Sequence, residues 1–137
     1  MRSFVDTGVW YAALDRGDAS HERATELLTD DWGWLTSDFV LVETWRLAAH
    51  RLGFAVAEGF WQSLRTGRAR LEPVTPVDQE AAWAIGRRFE DQRFSLVDRT
   101  SFALMERLGL QTVVSFDSDF AVYRYGQGSR EAFTVIR

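Results

Sequence analysis

The sequence predicts an α/β fold of three layers, a mainly parallel central sheet with helices on both faces. Short runs rich in β-branched and aromatic residues alternate with helical patterns of about ten residues or more along the whole chain. Such alternation is the signature of strand–helix–strand units, whose strands pair in parallel and whose helices cover both faces. Of the 137 residues, 46% are apolar, with six Trp and ten Phe, which is enough to bury a sizeable core without disulfide or metal staples. That length suits one domain, and no internal repeat, low-complexity tract or Pro/Gly/Ser linker divides it, so residues 1–137 are expected to form a single domain.

The elements follow in order. Arg2–Val5 reads as a strand ending at Asp6, and Thr7–Leu14 as a helix that stops before the Asp15–Asp18 turn. Ser20 is a good N-cap for a helix to about Leu28. Gly33–Thr36 is the second strand; Ser37 or Asp38 caps a helix to about Leu52, closed by Gly53. Phe54–Leu64 forms another helix, ended near Gly67. Ala69–Val74 alternates as a strand does, and Pro76 suits the first turn of a helix through about Phe89. Ser95 or Leu96 opens a helix that ends at Gly109, Gln111–Ser115 is a strong strand, and Phe133–Ile136 is a short last one.

Composition removes several chemistries. There is no cysteine, hence no disulfide, thiol nucleophile, iron–sulfur cluster or cysteine zinc site. All 16 basic residues are arginine, which excludes a P-loop lysine, a Schiff base and a lysine-dependent phosphoaspartate site. Against 20 acids the net charge is −4. If four of those acids meet a divalent cation, the remaining surface is near neutral and need not repel RNA. No signal-peptide pattern is visible, and no apolar run approaches the roughly 20 residues that span a bilayer. A cytoplasmic location, with no membrane association, is therefore expected.

In open parallel sheets, ligands bind beyond the carboxyl ends of the strands, and there the sequence places acids. Asp6 ends the first strand; Asp117 follows the fourth; Asp98 lies in the first turn of the helix leading into that strand. Glu43 lies in the helix after the second strand and shares its apolar face with Phe39 and Leu47. Converging carboxylates repel and resist desolvation unless a cation compensates them. Hard oxygen ligands suit Mg²⁺ or Mn²⁺, and such ions activate water and stabilise the charge that develops in phosphodiester cleavage. Each acid has a structural alternative: Asp6 as a helix cap, Asp98 as a helix-dipole partner, Asp117 and Asp119 as turn residues, and Glu43 in an ion pair with Arg46. Four such coincidences at one sheet edge make the metal reading stronger than any single residue does.

The segments Phe4-Val5-Asp6-Thr7-Gly8-Val9-Trp10-Tyr11-Ala12, Val42-Glu43-Thr44, Arg93–Met105 and Ser115-Phe116-Asp117-Ser118-Asp119-Phe120 resemble the PIN-domain family, particularly the VapC-like toxins of type II toxin–antitoxin systems. The resemblance implies a PIN-like sandwich and a Mg²⁺- or Mn²⁺-dependent endoribonuclease. It sets Asp6, Glu43, Asp98 and Asp117 on the family's acidic metal-binding positions, and Thr7 and Ser115 where relatives often carry supporting hydroxyls. It also implies a homodimer, a cognate antitoxin whose tail occupies the active-site groove, and structured RNA, transfer RNA included, as substrate. Gly8 departs from the Ser of many relatives. Asp119 is a supporting candidate, two residues beyond Asp117, able to orient the turn into Phe120 or to reach a second metal through water.

Other residues read as structural. His21 and His50 have no Ser or Cys in a triad-like arrangement. Trp45, Trp61 and Trp83 sit in helical apolar patterns and read as core or dimer interface rather than base-stacking platforms. Arg46, Arg51, Arg65, Arg68 and Arg70 form a denser basic region with Glu58 the only acid inside it, and Arg65, Arg68 and Arg70 are candidate RNA contacts; a solvated helix face is the alternative. The competing functions are a non-catalytic PIN-like module that binds RNA or protein, and, behind it, an aspartyl phosphatase. Gly8 stands where the latter needs a second aspartate.

Overall fold

The computed structural model describes residues 2–30 and 33–137. Five parallel strands form one sheet in the order β3-β2-β1-β4-β5: β1 Ser3–Val5, β2 Trp34–Ser37, β3 Arg70–Glu72, β4 Thr112–Val114 and β5 Thr134–Ile136. The register pairs Ser3 with Trp34 on one side and Thr112 on the other, Leu35 with Arg70, and Thr112 with Thr134. From β1 the chain moves outward through β2 to β3, crosses back to β4, and moves outward the other way to β5. The reversal falls between β1 and β4. Right-handed crossovers then set the helices before β3 on one face and those after it on the other.

On the first face lie α1 Thr7–Leu14, α2 His21–Leu27, α3 Asp38–Arg51 and α4 Phe54–Arg65; on the second lie α5 Pro76–Arg88, α6 Leu96–Leu108 and the single turn α7 Asp119–Val122. The helix limits follow local chemistry. The hydroxyls of Ser37, Thr75 and Ser95 accept the backbone N–H of Val40, Asp78 and Asp98 respectively, which satisfies donors the helices leave free. Thr75 and Asp78 form a reciprocal capping box ahead of Pro76. Gly109, at φ 67°, ends α6 in the left-handed region that other residues avoid.

β1, β2 and β4 are wholly buried, whereas the edge strands β3 and β5 are largely open to solvent. Beneath α6 the core is aromatic: Phe102 stacks on Tyr123 at 4.3 Å and meets Phe120 edge-on at 4.9 Å. The Trp10 indole N–H donates to Thr36 Oγ1, which donates to the Val5 carbonyl oxygen, joining α1 to the two central strands.

Three expectations change. The strands are shorter than their sequence patterns: β3 covers Arg70–Glu72 rather than Ala69–Val74, since pairing with β2 ends there. The turn α7 carries too little periodicity to be read in advance. Of the two readings for Trp61 and Trp83, core or dimer interface, the core one falls: they are 44% and 66% exposed, because α4 buries Ala57, Phe60 and Leu64, α5 buries Asp78, Ala82 and Ile85, and each tryptophan falls one position off that stripe.

Candidate metal centre

The carboxyl edge of the sheet, at the reversal between β1 and β4, is where an open parallel sheet leaves a crevice. Asp6 leaves β1 there. Its backbone N–H donates to the Val114 carbonyl oxygen at 3.0 Å, so the strand ladder itself fixes the Cα. Asp6 holds the N-cap position of α1, but its carboxylate makes no capping hydrogen bond; the capping alternative for this residue is not realised. Asp98 is the third residue of α6, held by the Ser95 cap, and Asp117 follows β4. One carboxylate oxygen from each of Asp6, Asp98 and Asp117 lies within 4.8 Å of the others.

Ser115 links two of them. Its hydroxyl donates to Asp6 Oδ2 at 3.0 Å and accepts the Asp117 backbone N–H at 3.0 Å. Asp117 Oδ1 in turn accepts the Asp119 N–H at 2.9 Å, an Asx turn that opens α7. Asp119 lies close enough to Asp98 to raise its carboxyl further. The loop after β4 is thus shaped by the same acids that meet at the edge.

Burial makes this cluster costly. Asp6 and Asp98 are 4% and 7% exposed. Loss of hydration pushes the Asp6 carboxyl up to about 6; the Ser115 hydroxyl and the Thr7 N–H oppose this, while the charges of Asp117 and Glu43 add to it. Burial, then repulsion from Asp6, Asp117 and Asp119, pushes Asp98 up to about 9. A site whose own acids resist ionisation is electrostatically incomplete, and a divalent cation would complete it. The donor set fits a small hard ion, which takes one or two carboxylates and keeps several waters. Thr7 Oγ1, buried next to Asp6 in sequence, has no hydrogen-bond partner and offers a further oxygen.

Glu43 stands apart from the three. It is partly buried on α3, close enough for its charge to act on Asp6, and it lines an open groove of about 820 Å³ beside Thr7, Phe39, Val42, Arg46, Leu47, His50 and Val97. Among the described residues no ion pair joins Glu43 to Arg46. The groove could not be read from the sequence beyond the shared face of Phe39, Glu43 and Leu47; Val97, contributed by α6, had only its place before Asp98 as a signal.

Arg65, Arg68 and Arg70 lie elsewhere. They surround the start of β3, at the amino edge of the sheet, and are already engaged: Arg65 with Gln62, Arg68 with the Leu28 carbonyl oxygen, and Arg70 with Glu72 at 2.6 Å. His21 bonds the Ala12 carbonyl oxygen through Nδ1 at 2.8 Å and takes no part in the acidic cluster.

Residues 3–124 match the PIN domain model. The chain belongs to the PIN domain family. It is 37% identical over 123 residues to the 23S rRNA-specific endonuclease VapC20 of Mycobacterium tuberculosis, covering 86% of this chain and 91% of that protein. It is 27% identical over 134 residues to Ribonuclease VapC26 of the same organism, covering 96% and 98%. The crystal structure of VapC20, described as a sarcin–ricin loop cleaving toxin, superposes with a TM-score of 0.82 at 36% identity, over 89% of this chain and 94% of that one. VapBC2 of Rickettsia felis, at 13% identity and a TM-score of 0.64 over 98% of each chain, shares the fold. As a PIN-domain relative of these endonucleases, the chain is a nuclease, a hydrolase.

Proposed function

We propose that this PIN-domain nuclease is a Mg²⁺- or Mn²⁺-dependent endoribonuclease and the toxin of a toxin–antitoxin pair. The observation that carries the metal chemistry is the meeting of Asp6, Asp98 and Asp117 at the sheet reversal, two of them buried at a cost their own charges increase. Asp6, Asp98 and Asp117 would hold the ion, with Glu43 reaching it from the groove wall. When bound, the ion supplies an activated water and neutralises charge on the phosphate.

The chain's own residues prepare for this. Ser115 orients Asp6 and fixes the Asp117 backbone with one hydroxyl, so the two acids keep their spacing. The Ser95 cap fixes where Asp98 enters. Glu43, on the groove wall, is the residue we assign to accept a proton from an attacking water. Asp119 supports Asp117 through the turn its N–H closes on the Asp117 carboxylate.

For substrate, the likeness to a 23S rRNA-specific endonuclease favours a ribosomal RNA loop over transfer RNA as the first RNA to test. The toxin role rests on the same relative, described as a toxin, and on VapBC2 of the same fold, which was solved with its promoter DNA. A cognate antitoxin is the proposed partner, and the cytoplasm, where ribosomal RNA resides, the proposed location; among the described residues no helix is long and apolar enough to cross a membrane. Purified protein should cut an RNA carrying the sarcin–ricin loop with Mg²⁺ or Mn²⁺, stop in EDTA, and lose activity in Asp6→Asn. Cleavage undiminished by chelator would overturn the metal mechanism.

A further inference from the structure

We infer that Arg46 and His50 are substrate-positioning residues that hold RNA phosphates flanking the scissile one, so that the strand runs along α3 away from the acids. The inference rests on the ribonuclease reading above and adds the path of the substrate.

The groove of about 820 Å³ begins at Thr7, Glu43 and Val97. Thr7 and Val97 are the sequence neighbours of Asp6 and Asp98, so the groove opens directly beside the metal-binding acids. From Glu43 to His50 it follows α3 over seven residue steps, about 10 Å of helix at 1.5 Å each. That is long enough for more than one nucleotide.

Its lining divides by chemistry. Phe39, Val42, Leu47 and Val97 offer apolar surface, and Arg46 and His50 offer hydrogen-bond donors one and two turns beyond Glu43. A single strand wants both: surfaces for the bases and donors for its phosphates. Arg46 is exposed on α3, and among the described residues it makes no ion pair, although Glu43 lies three positions before it, where such pairs commonly form. By contrast Arg23, Arg70, Arg87 and Arg107 are spent on internal carboxylates. On a chain of net charge −4, RNA must be held by local cations rather than by an overall field. Arg46 supplies an uncommitted guanidinium where the strand must leave the acids.

The test uses the full chain and a labelled RNA hairpin carrying the sarcin–ricin loop, with Arg46→Gln, His50→Gln and, as a control outside the groove, Arg87→Gln, whose guanidinium pairs with Glu90. Steady-state cleavage in Mg²⁺ should show KM raised about tenfold in Arg46→Gln and less in His50→Gln, with kcat within about twofold of wild type. Binding in Ca²⁺ should lose about 0.7 from its log–log salt slope for each phosphate contact removed. Arg46→Lys should recover part of the affinity, and Arg87→Gln should match wild type. Unchanged KM and slope in both groove variants overturn the inference, as does a result in which they weaken only antitoxin binding. Failure of the ribonuclease reading itself looks different, because wild type then neither binds nor cuts the hairpin.

Discussion

At the scale of single residues, Asp98 pulls stability and function in opposite directions. In the metal-free protein its carboxyl is raised to about 9, and that of Asp6 to about 6, chiefly by burial. In the unfolded chain both titrate near 4. Between pH 4 and those raised values the folded state binds more protons than the unfolded state, so stability falls as pH rises through that window. Metal-free protein is therefore expected to melt at a higher temperature at pH 5 than at pH 8, and saturating Mg²⁺ should reduce the difference; calorimetry in EDTA and in Mg²⁺ measures both. By the same reasoning Asp98→Asn should abolish cleavage yet raise the EDTA melting temperature at pH 8 by a few degrees. Asp117 and Asp119 separate differently. Asn at 117 retains an oxygen to accept the Asp119 N–H, so Asp117→Asn reports lost charge rather than a lost turn, and a roughly 10²-fold fall in cleavage is expected. Asp119→Asn should cost less; circular dichroism checks the fold of each. The three converging acids were legible because each sits at a strand end or a helix start, positions that sequence patterns mark well. The place of Arg65, Arg68 and Arg70 was not, since density along the chain says nothing about which edge of a sheet a strand begins from.

At the scale of elements, α5 depends on one aspartate. Asp78 closes the capping box with Thr75 and takes both Arg107 Nε at 2.8 Å and Nη2 at 2.9 Å, tying the start of α5 to the end of α6. Burial raises the Asp78 carboxyl, but the Arg107 and Thr75 hydrogen bonds outweigh it and leave the group below its ordinary value. A depressed folded-state value gives stabilisation that is present above about pH 4 and lost as pH falls through the folded value. Thr75→Ala should cost about 1 kcal/mol. Asp78→Asn should cost about 1–3 kcal/mol at pH 7, less than a fully buried pair because Arg107 is about one-third exposed. The Asp78→Asn penalty should shrink at pH 3. Urea unfolding at the two pH values tests all three numbers. The caps explain why helix limits were readable to within a residue or two: Ser37, Thr75, Ser95 and Gly109 are local signals that need no tertiary partner. The third strand was read too long because its length is set by pairing with β2, which no local pattern records.

At the scale of the whole molecule, apolar surface remains to be covered. Phe54 and Val77 are 66% and 70% exposed, like Trp61 and Trp83 on the same two helices, α4 and α5. A homodimer would cover part of this surface, and light scattering at micromolar concentration should give about twice the chain mass. A strictly monomeric species, alone and with antitoxin, would reject the dimer. Fold class and the parallel sense of the sheet were accessible from the alternation of strand and helix patterns; the strand order β3-β2-β1-β4-β5 was not, since no local pattern records which strands pair. The outward faces of α4 and α5 were not, because an apolar residue at helical spacing looks the same whether the face it occupies meets the sheet or the solvent.

The hydrogen bond between Ser115 and Asp6 closes a gap of 109 residues. Asp6 is translated early, but its hydroxyl partner and the acid beyond it are added only after the other strands of the central trio and both faces of helices have been made. At ordinary elongation rates, that interval is roughly 5–20 s. Throughout it the growing polypeptide lacks Ser115 and Asp117, so even once Asp98 has been added the three-acid cluster is incomplete. A nuclease whose acids converge from segments so far apart gains its complete acidic edge only when β4 and the loop after it have been made.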